Sequence, residues 1–169
     1  MNQPPIERHF TATAYVVSAA RTLLLWHQKL RMWLPTGGHC EPNEGPVEAA
    51  IREAEEESGL AVKVIQPQGI LVLTNTGSPV VLPPPAVILL EDIVRPDQPF
   101  HQHIDHVYFT RSRLPVDFAS LLPGGVPHHW FAAVDLSGSF SLPAPDGTLV
   151  AVAEDVRLLG IRAIAAAES

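Results

Sequence analysis

The sequence predicts an α/β layered domain, in which a mixed sheet packs against two main helices. Segments rich in β-branched and aromatic residues predict strands, whereas apolar residues at i, i+3, i+4 and i+7 predict two amphipathic helices. The length of 169 residues fits one domain. We expect this domain to span residues 1–169, with its core at about 10–166.

The composition indicates the class of protein and argues against some classes of binding partner. The chain is 46% hydrophobic and 17% charged, as in globular domains, and its net charge is −7 without a basic cluster. We therefore expect no nucleic acid duplex and no membrane among its partners. No apolar run approaches the roughly 20 residues of a membrane span, and residues 1–9 do not resemble a signal peptide. One cysteine excludes an intrachain disulfide, so a cytoplasmic protein is expected.

The predicted strands lie before the first helix and between the two helices. A turn is predicted at Arg21 and Thr22, and a proline-rich loop at residues 77–85. The predicted strands are residues 10–20, 23–29, 61–65, 70–74, 86–94, 104–111 and 129–134, and residues 32–35 form a short apolar segment.

The first helix is predicted over Pro46–Ser58. Pro46 is tolerated at the first helical position, and Gly59 suits the residue that follows a helix. The buried face is predicted to comprise Val47, Ala50, Ile51 and Ala54.

The second helix is predicted at residues 147–166, with Asp146 as its N-cap. Its apolar stripe would comprise Leu149, Val152, Val156, Leu159 and Ala163.

Three carboxylates share one face of the first helix. Glu53, Glu56 and Glu57 stand at i, i+3 and i+4, near the helix end where the dipole disfavours negative charge. Taken alone they fit a solvated acidic surface, because glutamate favours helices. A divalent cation such as Mg²⁺ or Mn²⁺ explains their crowding better, since these ions prefer carboxylate oxygens.

The flanking residues complete a longer pattern at residues 38–60. Its spacing is Gly-x5-Glu-x7-Arg-Glu-aliphatic-x-Glu-Glu-x-Gly-aliphatic, which resembles the Nudix box from end to end. Ala54 stands where a bulkier aliphatic residue is usual. The resemblance implies a Nudix-fold α/β/α sandwich with a mixed sheet. The fixed positions are Gly38, Glu44, Arg52, Glu53, Glu56, Glu57, Gly59 and Leu60.

The resemblance also implies a chemistry. Nudix hydrolases use a metal ion to cleave the diphosphate linkage of a nucleoside diphosphate joined to another moiety. By analogy, Arg52 orients the carboxylates and Glu44 holds the loop against the helix. The implied metal ligands are Glu53, Glu56, Glu57 and the carbonyl of Gly37.

The pattern leaves two candidates for the general base. Many members carry a glutamate in the loop before the strand that holds Trp130, whereas residues 124–129 of this chain include no acid. We therefore hypothesise that Glu53 or Glu56 is the base.

Several functions remain open at this stage. The small-molecule substrate would be a nucleotide, and a nucleoside triphosphate pyrophosphohydrolase stands beside a nucleotide-sugar or dinucleotide diphosphatase. A non-catalytic Nudix-like nucleotide-binding module is a further alternative, although such modules tend to lose the box acids. A prenyl diphosphate isomerase of this fold would need a cysteine and acids that we cannot place. A homodimer is common in the family.

Histidines provide weaker candidates. On a strand, His101, His103 and Asp105 would face one way and His106 the other. Contact with substrate, a transition-metal site and ordinary strand histidines all remain open. We interpret His128 and His129 as an exposed loop pair, with a smaller chance that they lie near the phosphates.

Other side chains have ordinary interpretations. The aromatic residues in strands are expected in the core rather than stacked on a substrate ring. Lys29 and Arg31 fit a solvated hairpin edge better than a phosphate contact, and Cys40 receives no role. The aromatic residues are Trp26, Trp33 and Tyr108.

Overall fold

The computed structural model describes residues 5–66 and 80–169. The helices in these ranges are α1 (Pro46–Ser58) and α2 (Glu154–Glu168). The predicted strand at 70–74, and the part of the predicted loop at 77–79, lie outside the described residues. The strands are β1 (Arg8–Ser18), β2 (Arg21–His27), β3 (Met32–Leu34), β4 (Thr36–His39), β5 (Val62–Val64), β6 (Val87–Ile93), β7 (His101–Ser112), β8 (His128–Ala132), β9 (Ser141–Pro143) and β10 (Leu149–Ala151).

The sheet is centred on β1 and β7, which pair in parallel along almost their whole length. The other edge of β1 pairs antiparallel with β4 and then with β2, while β5 and β6 pair antiparallel with β7. With β3 and β8 on β2, these strands form one eight-stranded mixed sheet, and β9 and β10 form a separate ribbon. Because β1 lies in the middle, its residues can reach both helices.

Each face of the sheet is covered by one helix. Ala12, Ala14 and Val16 of β1 pack with α1, whereas the alternating Tyr15 and Val17 pack with α2. This alternation follows the twofold side-chain period of a strand. The predicted α/β/α sandwich with a mixed sheet is therefore confirmed. Within the described ranges, neither helix has the length and hydrophobicity needed to cross a bilayer.

Helix α1 has the predicted bounds. The backbone N–H of Gly45 donates to the Glu48 carboxylate at 2.7 Å, which satisfies a donor at the helix start. The helix ends where Gly59 adopts a left-handed φ of 70° and donates to the Glu55 carbonyl. Ala54 is fully buried, and the small side chain lets α1 lie close to the sheet.

The prediction for the second helix is wrong at its start. Residues Leu149–Ala151 form β10, which pairs with β9, and α2 begins only at Glu154. Asp146 does not cap a helix; its carboxylate accepts from the Thr148 N–H at 3.0 Å, within a turn where Gly147 has a φ of 84°. The Asp-Gly pair is a strong hairpin signal, and it overrides the weak helical periodicity of the following residues.

The hairpin between β1 and β2 turns two residues earlier than predicted. Arg21 and Thr22 are paired with Ser18 and Val17, so the turn consists of Ala19 and Ala20. Both alanines have positive φ, 43° and 58°, as a two-residue hairpin turn of the primed type requires. Alanine pays a steric cost in this region that asparagine and glycine largely avoid.

We expect the double substitution Ala19→Asn and Ala20→Gly to stabilise the protein. Relief of two positive-φ alanines should raise the free energy of unfolding by about 1–2 kcal/mol, seen as a higher Tm in thermal unfolding. The matched control is Ala165→Gly at an exposed position of α2, which should lower the free energy of unfolding by about 1 kcal/mol. If the turn variant lost stability as the control does, the turn assignment would be contradicted.

Candidate active site

A large cleft opens on the face of the sheet that α2 covers. Its volume is about 1010 Å³, and residues from both helices and six strands line it. Its lining includes Glu56 and Glu57 of α1, Asp105 of β7 and Asp155 of α2. The cleft is therefore strongly acidic, and an anionic ligand would need positive charge to enter it.

Glu57 is a partly buried carboxylate near the end of α1. Its Oε2 accepts a hydrogen bond of 3.0 Å from the Gly37 N–H, which joins the end of α1 to β4. Burial raises the pKa of Glu57, the Gly37 bond lowers it, and the charges of Glu53 and Glu56 raise it further. Glu57 is thus a carboxylate whose ionised form would gain from a nearby cation.

The Glu53 side chain lies against Gly38. A Cβ atom added at Gly38 would overlap the Glu53 carboxylate and lie 2.6 Å from its Cδ atom. Glycine at this position therefore leaves the space that the carboxylate fills. The same carboxylate accepts a hydrogen bond of 2.8 Å from Nη1 of Arg52.

Arg52 connects the loop between β4 and α1 to the carboxylates. Its Nε and Nη2 bind both oxygens of Glu44, at 3.1 and 2.6 Å, and Nη2 also donates to the His39 carbonyl at 3.1 Å. Its Nη1 donates to Glu53 and, at 3.2 Å, to the exposed Glu56. Hydrogen bonding to Arg52 lowers the pKa of Glu44, so this fork-like pair is ionised at neutral pH.

Substituting Arg52→Lys should disturb both loop and carboxylates. Lysine keeps one charge but lacks the planar fork that holds Glu44 and Glu53 together. We expect the free energy of unfolding to fall by about 1–3 kcal/mol and turnover to fall about 10–100-fold. Thermal unfolding and steady-state kinetics measure these effects against Arg162→Lys, a change at an exposed α2 position. Unchanged stability and rate would show that the Arg52 network has no such function.

Two acids in the cleft, the buried Asp105 and the half-buried Glu91, were not predicted as a pair from the sequence. Asp105 accepts from the Thr11 hydroxyl at 3.0 Å, and Glu91 projects from the neighbouring β6. Burial raises the pKa of both carboxyls, and the charges of Asp105 and Asp155 add to the effect at Glu91. The alternation of side chains along the strand predicted that Asp105 and His103 share a face. The pairing of β6 with β7, in contrast, is a long-range contact that no local sequence pattern indicates.

The histidines of β7 follow the predicted alternation. His101 and His103 line the cleft with Asp105, while His106 points to the opposite face and contacts the Thr11 carbonyl. Burial lowers the pKa of His103 to about 4, so its ring is neutral at pH 7. The prediction that His128 and His129 form a loop pair is wrong, because both belong to β8 and pair with β2.

Of the remaining candidates, the aromatic residues occupy the core as predicted. Trp26, Trp33 and Tyr108 are all buried, although Trp26 also borders the cleft. Lys29 lines the cleft, whereas Arg31 forms an ion pair of 2.7 Å with Asp146. The partly buried Cys40 packs against the apolar cluster under α1.

The fold agrees with a comparison to known families. A family model described as the NUDIX domain matches residues 7–150, which is most of the chain. This protein belongs to the Nudix family. As a Nudix protein it is a diphosphohydrolase, of a family that acts on small nucleotide substrates and generally uses divalent metals.

Solved structures of Nudix proteins resemble the whole chain. A Nudix family hydrolase from Clostridium perfringens is 28% identical, with a TM-score of 0.69 over 95% of this chain and 98% of that chain. A UDP-X diphosphatase is 16% identical, with a TM-score of 0.54 over 99% of this chain and 67% of that chain. An ADP-ribose pyrophosphatase from Streptococcus suis is 14% identical, with a TM-score of 0.50 and coverages of 95% and 92%. The last two similarities show the shared fold alone.

Proposed function

We propose that this Nudix protein is a Mg²⁺-dependent hydrolase that cleaves the diphosphate linkage of a nucleoside diphosphate joined to another moiety. One observation carries the proposal. Glu57 lines the cleft half-buried beside Glu53 and Glu56; burial raises its pKa, and the charges of these two carboxylates raise it further. Such an arrangement is costly in the metal-free protein and is relieved by a divalent cation.

The residues present fit this cation. Carboxylate oxygens are hard donors, which Mg²⁺ and Mn²⁺ prefer, and Glu53, Glu56 and Glu57 provide them at one helix end. Gly37 pairs with Thr13 at a ladder position without mutual hydrogen bonds, so its backbone groups point away from β1. Its N–H already meets Glu57, which supports the Gly37 carbonyl as a further ligand.

The remaining box residues would position these ligands. Arg52 holds Glu53 and Glu56 through one nitrogen, and it fixes the loop through both oxygens of Glu44. When bound, the cation would neutralise phosphoryl charge and lower the pKa of a bound water. Its positive charge would also admit an anionic substrate to an acidic cleft.

For the proton transfer we keep Glu53 or Glu56 as the proposed base. The oxygen of the attacking water forms a bond to phosphorus, and its proton passes to a carboxylate. The bridging P–O bond breaks, and the leaving phosphate takes the electron pair. Glu56 is the more accessible of the two, with a side chain that is 60% exposed, whereas Glu53 is enclosed between Gly38 and Arg52.

We propose two alternative classes of substrate, in order of preference. A nucleoside triphosphate pyrophosphohydrolase is the first choice from the sequence. The cleft supports the alternative of a nucleotide-sugar or dinucleotide diphosphatase, since about 1010 Å³ is large enough for two moieties flanking a diphosphate. The names of the similar diphosphatase and pyrophosphatase structures are compatible with this alternative.

A substrate panel with product identification tests the proposal. The purified protein is incubated with Mg²⁺ or Mn²⁺ and nucleoside triphosphates, nucleotide sugars or dinucleotides, and the products are identified by mass. Release of pyrophosphate supports the first choice, and release of two monophosphates supports the alternative. Binding without hydrolysis across the panel would overturn the proposal in favour of a non-catalytic nucleotide-binding module.

Two wider expectations accompany this proposal. The homodimer and the cytoplasmic location stay predictions from the sequence. Light scattering at several protein concentrations, and fractionation of cells expressing the protein, would test them.

A further inference from the structure

Histidine side chains gather at the end of the cleft beside the start of β1. His9 of β1 pairs with His103 of the parallel β7, and His101 lies two residues earlier on the same face. The ring centroids of His9 and His101 are 4.9 Å apart, and those of His101 and His103 are 5.1 Å apart. His39, at the end of β4, stands edge-on to His103 at 4.8 Å. The cluster is built from nitrogen donors, unlike the carboxylates of α1.

The donor atoms already have a spacing that suits a metal ion. One ring nitrogen from each of His9, His101 and His103 lies within 4.8 Å of the others. The two Nε2 atoms of His101 and His103 are 3.3 Å apart. For a Zn–N bond of about 2.0–2.1 Å, two nitrogens of a tetrahedral site lie about 3.3–3.4 Å apart. This pair therefore needs little rearrangement to share an ion.

In two of the rings, one nitrogen makes a hydrogen bond outside the cluster, and the lone pair of the other nitrogen is left to bind such an ion. Nδ1 of His101 lies 3.0 Å from the Pro99 carbonyl, so Nδ1 carries the proton and Nε2 the lone pair. Nε2 of His9 lies 3.0 Å from the Glu7 carboxylate, which places the lone pair of the neutral ring on Nδ1. Metal-binding histidines usually donate their other N–H to a carboxylate or carbonyl in this way.

One atom of the cluster lacks an explanation in the metal-free arrangement. Nδ1 of His9 is buried and has no hydrogen-bond partner among the described residues. A hydrogen bond between the neutral rings of His101 and His103 would account for their 3.3 Å separation but not for this atom. An ion bound by all three rings accounts for both observations.

We propose that His9, His101 and His103 form a second metal site that takes Zn²⁺ or a similar divalent transition metal. Imidazole donors suit these ions better than Mg²⁺, so the site would differ in selectivity from the carboxylates of α1. All three residues line the cleft. A fourth position on the ion would therefore face the cleft and accept water or an oxygen of a bound ligand.

Zinc binding to the tag-free, full-length protein tests this site. The protein is stripped with a chelator and then titrated with Zn²⁺ against a chromophoric competitor in excess Mg²⁺, which occupies carboxylate sites. We expect one zinc per chain, and a loss of affinity of more than about 10-fold in His103→Gln. Co²⁺ in place of zinc should give the visible absorption of four-coordinate cobalt, which His103→Gln removes.

Matched variants separate this proposal from the proposed function. His106→Gln changes a histidine on the opposite face of β7, and Glu57→Gln changes the carboxylate site; both should bind zinc like the wild type. Glu7→Gln, at an exposed position, should weaken zinc binding without disturbing the fold. Absence of zinc binding in excess Mg²⁺, or wild-type affinity in both His103→Gln and Glu7→Gln, would overturn the proposal. Loss of zinc in Glu57→Gln would also overturn it, because the ion would then lie at the carboxylates.

Discussion

Glu57→Gln should abolish most metal-dependent turnover while leaving the fold intact. Glutamine still accepts the hydrogen bond from the Gly37 N–H, but it withdraws one negative charge from the proposed cation site. A loss of several kcal/mol of transition-state stabilisation corresponds to a fall in kcat of about 10²–10³-fold. Steady-state kinetics across a range of Mg²⁺ concentrations measure this fall and the accompanying shift in metal dependence.

The stability of the same variant gives an independent readout. Burial raises the pKa of Glu57 above its ordinary value of 4.5, so ionisation of this group opposes folding. The metal-free wild type should therefore lose stability as pH rises above 4.5 and through the folded-state pKa. Glu57→Gln should remove this dependence, and its metal-free Tm at neutral pH should equal or exceed that of the wild type.

The control for this pair of measurements is Glu55→Gln. Glu55 lies on the exposed side of α1, so its removal changes the charge of the helix by the same amount without entering the cleft. It should keep near wild-type kinetics. Near wild-type turnover in Glu57→Gln would show that the assignment of Glu57 to the metal site is wrong.

Gly38→Ala should reduce turnover strongly with little effect on stability. The added Cβ would occupy the space of the Glu53 carboxylate, which is the far end of a flexible side chain and can move aside. The fold would then persist, but Glu53 would leave its position beside Arg52. A displacement of about 1 Å at a reacting centre can cost about 100-fold in rate, and we expect a fall in kcat of that order.

Gly37→Ala provides the contrast at the neighbouring position. There the added Cβ would lie 2.8 Å from the Ala12 carbonyl oxygen and 3.1 Å from the Thr13 Cα, both of them backbone atoms of β1. Because backbone atoms in a central strand cannot easily move, Gly37→Ala should lower the Tm as well as the rate. If Gly38→Ala lost stability as severely as Gly37→Ala, the explanation based on Glu53 would fail.

Local patterns explain how much of the site was predictable. The bounds of α1, its buried Ala50 and Ala54, and the shared face of its three glutamates follow from helical periodicity over a short segment, whereas the burial of Ala49 was not predicted. Gly59 ends the helix by adopting a left-handed φ, as glycine directly after a helix commonly does. The carboxylates that Arg52 binds also lie within this segment, and the resemblance to the Nudix box had already identified them.

Long-range pairing explains what could not be predicted. The parallel register of β1 and β7 brings His9 to His103, which is 94 residues away, and the pairing of β6 with β7 brings Glu91 beside them. No local pattern encodes such contacts. The predicted start of α2 was wrong because the residues there form a turn at Gly147 and the strand Leu149–Ala151, although their periodicity also fits a helix.

Anomalous diffraction from crystals grown with Mn²⁺ would locate the proposed cation directly. Mn²⁺ shares the preference of Mg²⁺ for carboxylate oxygens and scatters anomalously, so its position can be located without assumptions about the ligands. We expect an anomalous peak bounded by the carboxylates of Glu53, Glu56 and Glu57. A catalytically active crystal form with Mn²⁺ bound elsewhere, and no peak at these glutamates, would contradict it.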